Sequence, residues 1–133
     1  MMTLVHFRTT LGEWAVPIER VHEVRLAQGI APLPVPRQGI AGLLRRDDEV
    51  LTVISLLGEG AGHVIVLTCP EGWEDEHFGL LAEAAIGILR VDDTAVTPPP
   101  AGQEDPVVTG VIRENDGRMV MLLDVDQLAR VLQ

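Results

Sequence analysis

The residues able to do chemistry are few in this chain, and they are scattered. The only serine, Ser55, sits inside Val53-Ile54-Ser55-Leu56-Leu57, without the Gly-x-Ser-x-Gly turn that lifts a nucleophile clear of its strand. All ten cations are arginine. That removes the phosphate-loop lysine, Schiff-base chemistry and any lysine base. The histidines, His6, His22, His63 and His77, include no His-x-x-x-His pair, and Cys69 has no second thiolate to share a metal with. Acids cluster at Asp47-Asp48-Glu49, Glu74-Asp75-Glu76 and Asp92-Asp93. Paired carboxylates do acid–base work when one lies in an apolar pocket, but adjacent acids in turn-like segments read as solvated. Asp124-Val125-Asp126 lacks the glycine-bearing loop of a calcium site and reads as an N-cap with first-turn charge for a last helix. No catalytic residue, cofactor or metal set is expected.

Charge narrows the partners. The formal net charge is −10, and the only aromatic residues are Phe7, Phe78, Trp14 and Trp73. Nucleic-acid binding rests on clustered cations and stacking platforms, and an anionic membrane surface also asks for cations. Neither is expected as a partner. No apolar run approaches the roughly 20 residues that span a bilayer, and the first residues lack the pattern of a signal peptide. A lone Cys69 suits a reducing compartment and reads as a small buried hydrophobe after a strand. The chain is expected to be cytoplasmic.

The elements that must position these groups are mostly strands. With 133 residues the chain fits one domain, 1–133, large enough for a sizeable core. Leu4–Arg8 and Trp14–Val16 read as strands joined by a turn at Leu11-Gly12-Glu13, the second stopped by Pro17. Ile18, Val21 and Val24 lie three apart, which suggests a helical turn before a short strand. Three prolines between 32 and 36 force extended backbone. Gln38–Leu44 is a short helical candidate, and Val50–Leu57 is a buried strand. A second half then begins: strands at His63–Thr68, His77–Ala82 and Ala85–Val91, a loop over 92–106, and Val107–Arg113 and Arg118–Leu123 around Asn115-Asp116-Gly117. Asp-Gly between two such runs is a hairpin signal. Asp126–Leu132 closes with a short helix. Many short strands with little helix indicate an all-β barrel architecture.

The order of Pro17-Ile18-Glu19, Pro32–Pro36, Gly39-Ile40-Ala41-Gly42-Leu43, the charged turn Arg45–Glu49 and the strand Val50–Leu57 resembles the CheW family, adaptor domains of bacterial chemosensory arrays. The resemblance runs from about residue 3 to residue 132. Gly42-Leu43 stands at the start of the family's Gly-x-x-Asn-x-Arg-Gly. Phe78-Gly79-Leu80-Leu81-Ala82-Glu83 is similar to its strand ending in Gly-x-x-Val-Asp, and Gly110-Val111 to Leu123-Asp124-Val125 to its last hairpin. The family's Asn-x-Arg-Gly is here Arg45-Arg46-Asp47-Asp48, so its arginine aligns with Asp47 and its glycine with Asp48, tolerable because Asp enters the left-handed region more easily than most residues. Its Pro-Val-x-Asp-Leu becomes Thr52-Val53-Ile54-Ser55-Leu56.

The resemblance implies two side-by-side SH3-like five-stranded β-barrels with a short C-terminal helix. It implies a non-enzymatic adaptor that couples the cytoplasmic tip of a methyl-accepting chemoreceptor to the regulatory domain of a CheA-type histidine kinase. Receptor-groove positions carried over are Val21, Glu23, Asp47 and His63, with Arg45 or Arg46 as substitute cations; no kinase contact is assignable. The alternative is a CheW-like interaction module serving another assembly, such as pilus-motility signalling, without standard receptor binding.

Overall fold

Short apolar runs separated by glycine, proline and acidic turns fold as strands that bury themselves on one or both faces. The computed structural model describes residues 1–58 and 62–133. Among these the strands are β1 (Met2–Thr9), β2 (Gly12–Pro17), β3 (Val21–Leu26), β4 (Ile40–Arg46), β5 (Glu49–Ile54), β6 (His63–Thr68), β7 (His77–Ala82), β8 (Ala84–Val91), β9 (Val96–Thr97), β10 (Val108–Arg113) and β11 (Met119–Leu123). A 3₁₀ turn at Ile18–Arg20 precedes β3, as the spacing of Ile18 and Val21 suggests, and another spans Asp93–Ala95. The chain ends in the helix α1 (Val125–Ala129) and a final 3₁₀ turn. Asp124 caps α1, its carboxylate accepting the Gln127 N–H at 3.2 Å. No helix among the described residues is long and apolar enough to cross a membrane.

The strands form two sheets, ordered β8-β1-β2-β11-β10-β9 and β3-β6-β7-β5-β4. The second sheet has the expected five strands; the first has six, its extra edge being the two-residue β9. The five-stranded sheet curls until its edges nearly meet. Ala31, just past β3, exchanges two 2.8 Å backbone hydrogen bonds with Leu43 of β4 and closes the barrel. That approach requires Gly42: a Cβ there would lie 2.2 Å from the Ala31 carbonyl oxygen.

Two sequence expectations give way here. Gln38–Leu44 is not helical: from Ile40 the chain is β4, antiparallel to β5 from Ile40↔Ile54 to Arg46↔Glu49. Two glycines in five residues and the Ala31 closure favour extended backbone over a helix. The barrels are also not successive halves. β1 and β2 join β8–β11, and β2 lies parallel to β11. The barrel of β3–β7 is thus inserted between strands of the other.

Alternate residues point to opposite faces of a strand, and three apolar clusters follow. Leu4, Ala15, Ile112 and Val120 fill one barrel. Leu44, Leu51, Val53, Val64 and Val66 fill the other. Val5, Phe7, Ile65, Leu67, Phe78 and Leu80 belong to a third cluster between them, covered by Leu128 and Ala129 of α1. Strands buried on both faces read as near-continuous apolar runs, which is why Val64–Leu67 and Phe78–Ala82 show no alternation. Val53, Ile65, Val66, Leu80, Val111 and Leu122, all in apolar strand sequence, are buried. Cys69 is buried too, and burial pushes its thiol up to about 11, the behaviour of a packing residue.

Candidate docking face

The closed mouth of the β3–β7 barrel gathers most of the polar groups singled out from sequence. Arg46 ends β4 and Glu49 begins β5, joined by the two-residue loop Asp47-Asp48. Such tight hairpins need positive φ in the loop. Asp47 supplies it, with φ 51°, so the left-handed residue is Asp47 and not the Asp48 that aligns with the family's glycine. This geometry leaves Asp47 and Asp48 exposed and turns Arg46 inward, where its side chain is 14% exposed. Arg45, one residue back, is exposed on the opposite face of β4.

Across the mouth, β3 carries a bulge. Val21 pairs with Leu67 but Glu23 with Val66, so His22 is the extra residue. The bulge sets His22 and Glu23 beside the hairpin end. Glu23 Oε1 accepts the Arg46 Nε–H at 2.9 Å, and Glu49 Oε1 accepts the Nη1–H at 2.7 Å. His77, which begins β7, lies with Nδ1 at 3.2 and 3.3 Å from the two Glu49 oxygens. Its ring centroid is 4.3 Å from that of His22, at 46°. His22, Arg46, Asp47, Asp48, Glu49, Glu76 and His77 line an open cleft of about 350 Å³.

The electrostatics follow from these contacts. The Arg46 hydrogen bond is the main cause holding the Glu23 carboxyl below the usual glutamate range. Burial pushes the Glu49 carboxyl up, but the bonds from His77 and Arg46 together outweigh it and bring it below the usual range. The two carboxylates push the Arg46 guanidinium further up, Glu23 most. Glu49 is therefore a half-buried acceptor rather than the solvated acid its sequence context suggests.

Of the residues singled out from sequence, Glu23, Arg46 and Asp47 come together. Val21 is half-buried at the foot of the same strand, packed against the inter-barrel core. Arg45 points away. His63 pairs with Leu26 and Ala82 at the other end of β6, three residues from Val66 and so about 10 Å along the sheet. Sequence reasoning missed Glu49, His22 and His77 as members of the cluster. The pairing Arg46↔Glu49 was available from a two-residue hairpin; the bulge and the return of β7 to this end were not.

A second surface lies beyond the other end of β5. Leu11, Trp14, Leu56, Leu57, Val107 and Val108 line an apolar groove with Asp105 on its rim, and Leu11 and Trp14 also border Met119 and Met121. Leu11 is 69% exposed at the β1–β2 tip. Trp14 is oriented by its Nε1–H, which donates to Thr9 Oγ1 at 2.8 Å, and Thr9 in turn donates to the Leu57 carbonyl.

Among the described residues no group of three or more His, Cys, Asp or Glu converges as a metal set. Paired barrels bearing one ion-paired face and one apolar groove define a protein-interaction module. The CheW-like domain family model matches residues 3–133, and the chain belongs to that family, the scaffold and adaptor domains of chemotaxis. A solved structure, the scaffolding protein TtCheW from Thermoanaerobacter tengcongensis, superposes with a TM-score of 0.82 at 20% identity, covering 96% of this chain and 86% of that one. That likeness establishes the shared fold. A search of curated proteins finds no match.

Proposed function

We propose that this chain is a non-enzymatic cytoplasmic adaptor, a single module over residues 1–133. It couples the cytoplasmic tip of a methyl-accepting chemoreceptor to the regulatory domain of a CheA-type histidine kinase. Family membership supports the class. The observation that carries the receptor side is the bond from Arg46 to Glu23, which brings the β3 edge and the hairpin tip at Asp47 onto one face. Val21, Glu23, Arg46 and Asp47 are the contacts on this reading; Arg45, on the opposite face of β4, and His63, at the other end of β6, stand apart from it. An adaptor must hold two partners at once. The Leu11–Trp14 groove, at the opposite end of β5, is the surface left for the kinase domain.

The second reading keeps the module but changes the assembly, for example to pilus-motility signalling. It is favoured by one observation: Asp47 presents an acid at the hairpin tip while the nearest cation, Arg46, is held by Glu23 and Glu49. Purified domain is titrated against a CheA regulatory domain and, separately, against a receptor-tip bundle. Binding to both supports the coupling adaptor. Kinase binding without receptor binding selects the second reading, and binding to neither overturns both.

A further inference from the structure

We propose that the tilted His22–His77 ring pair, hung on Glu49, is a proton-responsive element that resets the charge of this docking face. Its effect on partner binding rests on the adaptor reading above; its titration does not. The two rings sit 4.3 Å apart because the β3 bulge inserts His22 beside the start of β7. Glu49 accepts from His77 at 3.2 Å and fixes which side of the ring faces the carboxylate. His22 is exposed and His77, 12% exposed, sits just beneath it at the rim of the docking face, and His is the side chain whose ordinary ionisation lies between about pH 5 and pH 8.

The surroundings set the sign. From β3 the pair is faced by Glu23 and Arg25, from β4 by Arg46, and from the hairpin loop by Asp47 and Asp48. Glu49 faces it from β5 and Glu76 from the residue before β7. Arg20, on the 3₁₀ turn, donates to the carbonyl of Thr68, the residue paired with His77. The cleft itself is lined by four carboxylates against one guanidinium, a net −3 with both imidazoles neutral. The first proton is therefore welcome and brings the lining to −2. The second must sit beside a like charge about 4 Å away and is resisted by it. Two such sites do not titrate independently; the face steps from −3 to −2 to −1 as one coupled unit. A partner presenting acids is held more tightly as each proton is added, and a partner presenting bases less tightly.

The test is an imidazole titration by NMR on the free protein: wild type, His22→Ala, His77→Asn and Glu49→Gln. His77→Asn should raise the midpoint of His22 by about half a pH unit or more, the scale set by like charges about 4 Å apart in a water-like medium, because His22 takes the second proton. His22→Ala should move His77 less, since His22 is still neutral when the His77 that Glu49 favours takes its proton. Glu49→Gln should lower the midpoint of His77. Midpoints that stay put in both histidine variants overturn the proposal, and His22, on an exposed bulge, is replaceable without loss of the fold. A receptor-tip bundle titrated at about pH 8 and about pH 6 then reads the consequence: several-fold pH dependence in wild type, lost in the double histidine variant. Coupled imidazoles with a bundle that binds at neither pH would overturn the adaptor reading and leave the element standing; coupled imidazoles with tight, pH-independent binding would overturn the charge-resetting role.

Discussion

Glu23 and Arg46 bond at 2.9 Å although they come from opposite edges of one five-stranded sheet. The bond is a latch across the barrel mouth, and its partners make it sensitive to acid. Glu23 and Glu49 are both held below the ordinary glutamate value of 4.5 in the folded chain. A depressed carboxyl stabilises the fold above its unfolded value and loses that contribution as pH falls through its folded one. The thermal midpoint should therefore drop between about pH 4.5 and the lowered folded values. Arg46→Gln, which removes the shared donor, should flatten that slope, as measured by thermal scans from pH 6 to pH 3. An unchanged slope would assign the acid sensitivity to other carboxylates.

Asp47 sets the expected preference of the face. An unpaired like charge at an interface costs on the order of several kcal/mol. Receptor tips that offer an acid at this point should bind wild type weakly, and Asp47→Arg should strengthen binding. The gain should be largest at low salt, because exposed charge pairs are screened. Titration of both proteins against one receptor-tip bundle at two salt concentrations decides it. Tight wild-type binding weakened by Asp47→Arg would show the acid itself to be the contact, matched to a basic partner.

Gly42 is the backbone approach that lets the barrel close. A Cβ placed 2.2 Å from the Ala31 oxygen must push the β3 extension off β4. Gly42→Ala should destabilise by about 1–3 kcal/mol, the scale of overpacking in a dense site. Hydrogen exchange at the Ala31 and Leu43 amides should speed up first, and protection equal to wild type would refute the closure.

Gly117 tests the last hairpin without any clash. Its φ is 87°, and a Cβ added there would meet nothing within 4 Å. The Gly117 N–H donates to Glu114 at 3.0 Å, and the Glu114 N–H to Arg118 at 2.8 Å, a turn followed by a left-handed glycine. Gly117→Val should cost roughly 1 kcal/mol or more through backbone strain alone. A thermal midpoint equal to wild type would contradict that conformation.

Phe78 packs in the cluster between the barrels and is fully buried. Phe78→Ala should lower stability by about 3–5 kcal/mol. If the shared core welds the barrels, chemical denaturation stays a single transition in the variant; two separated transitions would mean that each barrel stands alone.

The barrel architecture was legible because apolar runs and turn residues agree at nearly every step: Pro17 ends β2, Asp116-Gly117 makes the last turn, Asp124 caps α1. The strand at Ile40–Arg46 was not read as one, although its hairpin partner β5 is local: two glycines and a short apolar run hid its extended backbone, and its second contact, Ala31, lies across a proline-rich stretch. The face was half legible. Motif order pointed to Glu23 and the Arg46–Asp47 turn, but the bulge at His22 is a matter of register with Leu67 and Val66, and the place of His77 depends on how β7 returns. Such pairings are made in three dimensions and have no period in the sequence to betray them.

The nesting of one barrel within the other has a consequence for how the protein is born. Strands β3–β7 form a contiguous stretch, whereas β2 waits for a parallel partner, β11, more than a hundred residues later. As the ribosome delivers the chain, the inner barrel can close while the outer one is still two strands and an unpaired edge. The outer barrel becomes whole only once β11 has been made, so a chain cut short before β11 leaves a finished kernel inside an open shell.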